Sequence, residues 1–314
     1  MTETDVNRDL GLGTRVAQKS HKRFLNRDGS FNVRRTGLPF FRSLSPYHAL
    51  LTMSWTKFFL LISGAYFVIN ILFAFGYYLC GPGALYGLEG YTFEHAFYEE
   101  FFFSVQTLAT IGYGRMSPHS MGANVLVTFE ALVGLLGFAL ATGLLFARFS
   151  RPIAKIIYSK PAVIAPYQGI TAFEFRIANE RSNQLIQVQA TVVLSRLETK
   201  NGITFREFHT LQLERDQVMF LPLHLVIVHP IGKKSPLYGV TDEEFNKSDA
   251  EFLILLTGVD ETFSQTVHSR SSYKHHEVVW GARFKDMFLH GDDDMLGIDM
   301  RLIDEIEKAE LPKP

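Results

Sequence analysis

The sequence predicts an α-helical membrane module with two spans, joined to an all-β sandwich. Three observations carry the prediction. Two stretches, 57–79 and 121–148, are apolar and long enough to cross a bilayer, since about twenty helical residues cover a hydrocarbon core of about 30 Å. Between them a shorter apolar stretch, 93–108, runs directly into Thr110-Ile111-Gly112-Tyr113-Gly114. Beyond Pro152 the texture changes to short alternating segments divided by polar turns, the pattern of a β-sandwich.

Composition narrows the function classes. The 314 residues carry a formal charge of -1, which argues against a nucleic-acid-binding surface, so no nucleic acid is expected as a partner. The 47% hydrophobic content averages two unlike parts, a very apolar region from about residue 57 to 148 and an ordinary soluble remainder. Cys80 is the single cysteine, so no intrachain disulfide forms. The N-terminal residues are polar without an apolar core, and no cleavable secretory signal is expected. His275-His276 has no metal-ligand spacing to other candidates, and no glycine-rich strand-to-helix fingerprint is present. Neither an enzyme nor a cofactor is expected.

Residues 1–43 form a basic N-terminal tail with Arg8, Arg15, Lys19, Lys22, Arg23, Arg27, Arg34, Arg35 and Arg42. It is expected to be extended or partly disordered, with a turn at Asp28-Gly29. Residues 44–56 predict a helix lying along the membrane surface. Ser45 is its cap, Pro46 its first residue, and Trp55 sits at headgroup level. The first span, 57–79, contains no charge from Phe58 onward, and its Asn70 is expected to face protein rather than lipid. Gly81-Pro82-Gly83 ends it, and Thr92 is the expected N-cap of the helix over 93–108. That helix is too short to cross. Backbone that enters the bilayer and leaves it without helix is tolerated only where it lines a water-filled path. The second span, 121–148, holds Glu130 together with Gly134, Gly137 and Gly143. Its glycines permit close packing or a bend, with Gly134 and Gly143 as hinge candidates. Glu130 is expected to support the backbone at 110–114 from behind or to face the cavity. The pore module as a whole is assigned to 57–152.

Residues 110–114 suit the lining of a cation pore. An ion that sheds water needs oxygens in its place, and backbone carbonyls supply them only if successive carbonyls face one axis. Ordinary strand geometry alternates them, so some positions must take φ > 0, which Gly112 and Gly114 reach without steric cost. Thr110 adds its hydroxyl below, and Tyr113 braces the wall from behind. The preceding helix points its negative C-terminal end toward the ion. One chain supplies one such strand, so a closed ring needs several copies. Positive charge flanks the two spans on one side, whereas the connection between them holds Arg115 against Glu89, Glu94, Glu99 and Glu100. Both termini are therefore expected in the cytoplasm, in a multi-pass protein of the cell (inner) membrane.

Residues 153–314 predict the sandwich. Strands are expected at 171–179, 184–197, 205–213, 218–228, 251–257, 262–268 and 276–285, with Asn201-Gly202 as a two-residue hairpin turn.

Several blocks carry a family resemblance. They are Phe101-Phe102-Phe103-Ser104-Val105-Gln106-Thr107-Leu108-Ala109-Thr110-Ile111-Gly112-Tyr113-Gly114, Phe146-Ala147-Arg148-Phe149-Ser150-Arg151-Pro152, His229-Pro230-Ile231 with Ser235-Pro236-Leu237-Tyr238-Gly239, and Arg270-Ser271-Ser272-Tyr273 with Trp280-Gly281-Ala282-Arg283-Phe284. From about Tyr47 to Phe288 the chain resembles the inward-rectifier potassium channels, in their prokaryotic (KirBac-type) branch. The resemblance implies an α-helical two-span tetrameric pore module plus an all-β immunoglobulin-like cytoplasmic sandwich, assembled as a homotetramer. It implies passive, potassium-selective conduction, with K+ ions held at Thr110, Ile111, Gly112 and Tyr113. Leu135, Phe138, Thr142 and Phe146 would line the cavity and gate, with Phe146 at the bundle crossing and further gating by the cytoplasmic domain. The i, i+4, i+8 spacing of Phe138, Thr142 and Phe146 independently puts them on one helix face.

Arg148, Arg151 and Lys155 match the family's basic cluster for anionic lipid, phosphoinositide included, at about 1 kcal/mol each. Blockers of such pores are polyamines, Ba2+ and Mg2+. Phe138 stands where strong rectifiers carry an acid, so polyamine block here is expected to be weak. Gln106 stands where many members carry a glutamate behind the filter, and Ala49 where many carry an acid. The stretch from Thr257 to Gln265 matches the family's loop that narrows the cytoplasmic pore. Two other classes compete. A membrane-anchored β-sandwich binding or scaffold protein would have no use for alternating glycines inside the bilayer. A nonselective cation pore usually lacks tyrosine at the position of Tyr113.

Overall fold

The computed structural model describes residues 22–33, 37, 45–88, 93–150, 154–181, 183–200, 202–221, 223–289 and 297–312. They form two units: Gly37–Arg151, and Pro152–Pro314 together with the N-terminal segment.

The first unit is helical. Helix α1 (Pro46–Thr52) is a single amphipathic stretch with no buried residue. It is shorter than the 44–56 expected, and Ser45 makes no side-chain cap. The reason lies in Ser54. Met53 and Ser54 are extended, and the Ser54 hydroxyl accepts the Lys57 N–H, so a second helix, α2 (Trp55–Leu79), starts at Trp55. Strand β1 (Leu85–Tyr86) follows. Helix α3 (Phe93–Leu108) is next, and the segment 109–116 leads to strand β2 (Ser117–Pro118), which pairs antiparallel with β1. Helix α4 (Met121–Phe149) is capped by Ser120, whose Oγ accepts the Ala123 N–H at 3.1 Å. Helices α2 and α4 are both long and apolar enough to cross a membrane. At about 1.5 Å per residue, the 16 residues of α3 reach about 24 Å, short of the hydrocarbon core. Tyr77, Ala84, Leu85, Phe103, Met116 and Ala123 bury one another and join α2, α3 and α4 at the end where β1 and β2 lie.

The second unit is a sandwich of two five-stranded sheets. In one, β6 (Leu185–Lys200) is central, with β10 (Glu251–Asp260) and then β11 (Gln265–Lys274) on one edge, and β7 (Ile203–Thr210) and β8 (Gln217–Phe220) on the other half-edges. In the other, β5 (Ile170–Asn179) pairs with β3 (Ile156–Tyr158), β4 (Ala162–Tyr167) and β9 (His224–Ile231), and β12 (Val278–Trp280) joins β4 in parallel. Phe173 and Phe252 stack across the core at 3.7 Å between centroids. A short helix, α5 (Asp242–Lys247), is closed by a capping box of Thr241 and Glu244. Strand β13 (Ala282–Phe284) pairs with β16 (Ile306–Lys308), and β14 (Phe288–Leu289) with β15 (Gly297–Ile298).

Two expectations change here. The run 218–228 is two strands in different sheets, with Pro222 in the sequence between them. The strands expected at 251–257 and 262–268 instead run Glu251–Asp260 and Gln265–Lys274, so Thr257 to Gln265 is the end of the β10–β11 hairpin, with Asp260 still paired to Gln265.

The N-terminal segment also departs from the expected loose tail. Phe24 and Leu25 are buried against the sandwich. The Asp28-Gly29 turn brings Phe31 back to bridge Leu25. The blocks that carried the family resemblance hold this segment. Ser271 Oγ donates to Arg27 O at 3.1 Å, Ser272 Oγ donates to Leu25 O, and Arg23 Nη2 donates to Ser272 O at 2.6 Å. His229 and Ser235, in another such block, bond each other: His229 Nε2 lies 2.8 Å from Ser235 Oγ and Nδ1 lies 2.6 Å from Gln212 O. Burial holds His229 below the ordinary imidazole value, although the Gln212 bond works the other way. The neutral ring thus donates at Nδ1 and accepts at Nε2.

Candidate functional site

Helix α3 delivers the chain to residues 110–114. Its end is closed by a pair of capping bonds around Thr110: Thr110 N donates to Thr107 O, three residues back, at 3.0 Å, and Ile111 N to Gln106 O, five residues back, at 2.7 Å. From there φ is positive at Thr110 (57°), Gly112 (60°) and Gly114 (78°), whereas Ile111 and Tyr113 keep ordinary negative values. This alternation of hand departs from the regular pleat of a strand, in which every residue keeps negative φ. The glycines take these angles freely. Thr110 does not: a β-branched residue there costs roughly 1–3 kcal/mol and persists only where its surroundings impose it. The two backbone bonds from α3 are that imposition. The Gln106 side chain is half-buried, and its backbone carbonyl accepts the Ile111 N–H.

Earlier on α3, a polar cluster lies in an apolar setting. Glu130 of α4, Tyr77 and Asn70 of α2 and Ser104 of α3 are all fully buried. The Tyr77 hydroxyl donates to Glu130 Oε2 at 2.5 Å, and Ser104 Oγ is hydrogen-bonded to Glu130 Oε1. Ser104 Oγ also bonds Asn70 Oδ1 at 3.0 Å, and Asn70 Nδ2 donates to Tyr66 O at 2.7 Å. Three helices are therefore tied at one point, two turns before Thr110. Glu130 and Asn70 were singled out by sequence. Tyr77 and Ser104 were not, since other polar residues stand close to each in the sequence, Tyr78 beside Tyr77 and Gln106 and Thr107 after Ser104.

One turn beyond Glu130, Gly134 packs against the end of α3. A Cβ there would lie 2.5 Å from Leu108 O. The close-packing role of this glycine is thus visible, whereas Gly137 and Gly143 have open space within the subunit. Leu135, Phe138, Thr142 and Phe146 are all exposed on α4, with Phe138 at 76% and Phe146 at 73%. Ile111 and Tyr113 are exposed as well, so Tyr113 braces nothing within its own subunit.

Of the three basic residues assigned to lipid, Arg148 is engaged within the unit. Its guanidinium donates to Leu50 O and, at 2.7 Å, to Met53 O, and lies 4.5 Å from the ring centroids of both Trp55 and Phe58. It therefore closes the C-terminal end of α1, where carbonyls lack partners. Lys155 pairs with Glu180 at 3.3 Å on the surface, and Arg151 lies outside the described residues. Thr92 lies outside them too.

Comparison with known proteins agrees with this arrangement. The family model "Inward rectifier potassium channel C-terminal domain" matches residues 156–314, and the model "Ion channel" matches 65–151. The chain is 43% identical over 286 residues to the inward rectifier potassium channel Kirbac3.1 of Paramagnetospirillum magnetotacticum, covering 90% of this chain and 95% of that one. It is 28% identical over 290 residues to the ATP-sensitive inward rectifier potassium channel 11 of Oryctolagus cuniculus, covering 85% and 74%. It is also 28% identical over 319 residues to the G protein-activated inward rectifier potassium channel 3 of Homo sapiens, covering 95% and 80%. The helical two-span module, the all-β domain and these matches together place the chain in the prokaryotic branch of the inward rectifier potassium channel family, as a membrane-spanning potassium channel and not an enzyme.

Proposed function

We propose that four copies of the chain close one pore, in which the carbonyls of Thr110, Ile111, Gly112 and Tyr113 replace the hydration shell of K+. The alternating φ sign from Thr110 to Gly114 carries this reading. The unpartnered apolar face of α4 supports the assembly: a single subunit leaves Leu135, Phe138 and Phe146 open, as expected of residues that meet around an axis. The protein sits in the cell membrane with both termini in the cytoplasm, because basic residues flank α2 and α4 on one side. Anionic lipid acts at the ends of these helices. Arg151 and Lys155, which follow α4 in the sequence, offer charge for it, whereas Arg148 acts by tying α1 to α4. Polyamines block weakly for want of an acid at Phe138, and Ba2+ and Mg2+ are the inorganic blockers to test.

Flux from liposomes containing the purified channel tests this function. Potassium and rubidium should pass, sodium should not, and barium should block. Adding phosphoinositide to the bilayer should change the rate. Equal sodium and potassium flux would remove the selectivity claim. Phe146 is the proposed gate, since four phenylalanine rings on an axis form an apolar neck that closes by dewetting. Phe146→Ala should therefore raise rubidium flux at equal incorporation, and an unchanged rate would place the gate elsewhere.

A further inference from the structure

The hydrogens of the buried cluster can be counted. Asn70 Nδ2 faces Tyr66 O at 2.7 Å, which fixes the amide orientation, because the reverse would set two carbonyl oxygens against each other. Asn70 therefore presents Oδ1 to Ser104, 3.0 Å away. Ser104 has one hydroxyl hydrogen and two oxygen neighbours, Asn70 Oδ1 and Glu130 Oε1. The Tyr77 hydroxyl supplies the hydrogen for Glu130 Oε2. If Glu130 were a carboxylate, Ser104 would have to turn to it, and Asn70 Oδ1 would face the Ser104 oxygen without a hydrogen between them. Among the described residues no lysine, arginine or histidine forms an ion pair with Glu130, so that charge would also be buried uncompensated. With one more proton every group is satisfied in a single direction. Tyr77 donates to Oε2, Oε1–H donates to Ser104, Ser104 donates to Asn70, and Asn70 donates to Tyr66 O.

We propose that Glu130 is held as a neutral carboxylic acid that donates its proton to Ser104, which makes it the positioning residue fixing α3 behind the filter. It touches no ion. It acts through Ser104, on the helix whose last turn imposes the left-handed angle on Thr110. A neutral acid does this without placing fixed negative charge behind the lining carbonyls, where it would compete with them for the cation. The inference rests on the reading of Thr110–Gly114 as the filter and adds the chemical state of its support.

The test uses the full-length channel in liposomes, with infrared spectroscopy and ion flux on the same samples. Wild type should show a carboxylic-acid C=O stretch that shifts on deuteration and is missing from Glu130→Gln. Glu130→Gln should keep the potassium-over-sodium preference, because its amide donates to Ser104 and accepts from Tyr77 in the same sense. Ser104→Ala, which interrupts the chain at its middle, should lose that preference. If Glu130→Gln does not assemble, Tyr77→Phe serves instead: removing the donor to Oε2 should move the same band to higher frequency. Absence of an acid band assignable to Glu130, a band unmoved in Tyr77→Phe, or unaltered selectivity in Ser104→Ala would each overturn the proposal. Loss of selectivity in the wild type would instead count against the filter reading, and the infrared band would still report the state of Glu130.

Discussion

Gly134→Ala should abolish selective potassium flux from liposomes, although alanine is the better helix former. Two effects oppose each other at this position. Removing a glycine from a helix interior favours the helix by up to about 1 kcal/mol. The added Cβ, however, would lie 2.5 Å from Leu108 O and 3.3 Å from two further backbone atoms of Leu108. These neighbours belong to the backbone of α3 and have no rotamer to change, so α3 itself must move. Forcing a methyl into a packed contact costs roughly 1–3 kcal/mol. Leu108 is two residues before Thr110, so the displacement reaches the proposed filter before it can be absorbed. The clash therefore outweighs the propensity, and each 1.4 kcal/mol of net cost lowers the population of the packed arrangement by about tenfold. Gly143→Ala is the matched control, because it gains the same propensity with open space within the subunit. It should keep its flux. If Gly134→Ala conducts normally and Gly143→Ala does not, Gly143 is the hinge and Gly134 only a weak contact.

The difference between these two glycines illustrates what the sequence could show. Both stand in an apolar run, and spacing alone made each a hinge candidate. Only the approach of α3 separates them, and that approach is set by residues far away in the chain. Signals that act over a few residues were legible. The long apolar runs marked α2 and α4, and the spacing of Gly112 and Gly114 marked where φ turns positive. The all-β character of the second unit was equally plain from alternation.

What was missed depends on partners distant in sequence. Arg148 read as one more basic residue near a lipid surface, yet its guanidinium finds Leu50 O and Met53 O, almost a hundred residues earlier. Ser104 was one letter in a motif, and only the meeting of α2, α3 and α4 makes it a junction. Thr110 was expected to contribute a hydroxyl, whereas its left-handed backbone is the strained feature. The basic segment around Arg23 read as a solvated tail because its charges are conspicuous, while the acceptors that hold it, Glu251, Ser272, Glu277 and Ser159 among them, lie more than a hundred residues later in the chain.

Glu251→Ala should release that segment and destabilise the second unit by about 3–5 kcal/mol, the usual cost of breaking a buried charged group out of its partners. Glu251 is fully buried. Its two oxygens each accept the Phe24 N–H at 3.1 Å, Oε1 accepts the Leu25 N–H at 3.3 Å, and Oε2 lies 3.5 Å from Lys274 Nζ. Burial pushes its carboxyl above the ordinary range, with Lys274 and the two backbone N–H groups pulling it back. Asp249 is the counter-case nearby: burial also works to raise it, but Lys274, at 2.8 Å, and Arg206 hold it below the usual value. Without Glu251, Lys274 keeps Asp249 as a partner, whereas the N–H groups of Phe24 and Leu25 lose the carboxylate that accepts them, and among the described residues no other hydrogen bond of theirs is seen. Each such buried donor costs roughly 1–3 kcal/mol. That loss falls on the one strap that anchors Phe24 and Leu25 to the sandwich. Limited trypsin digestion followed by mass spectrometry reads it directly. The wild-type chain should resist cleavage after Arg23 and Arg27, since Arg23 is bonded to Ser272 and Glu277 and Arg27 to Ser159 and Glu277. Glu251→Ala should be cut there and should melt earlier. Glu251→Gln, which keeps one acceptor for the two N–H groups and the shape of the side chain, should fall between them. Equal protection in all three proteins would mean that the arginine contacts alone hold the strap, and that Glu251 contributes only to the charge balance around Lys274.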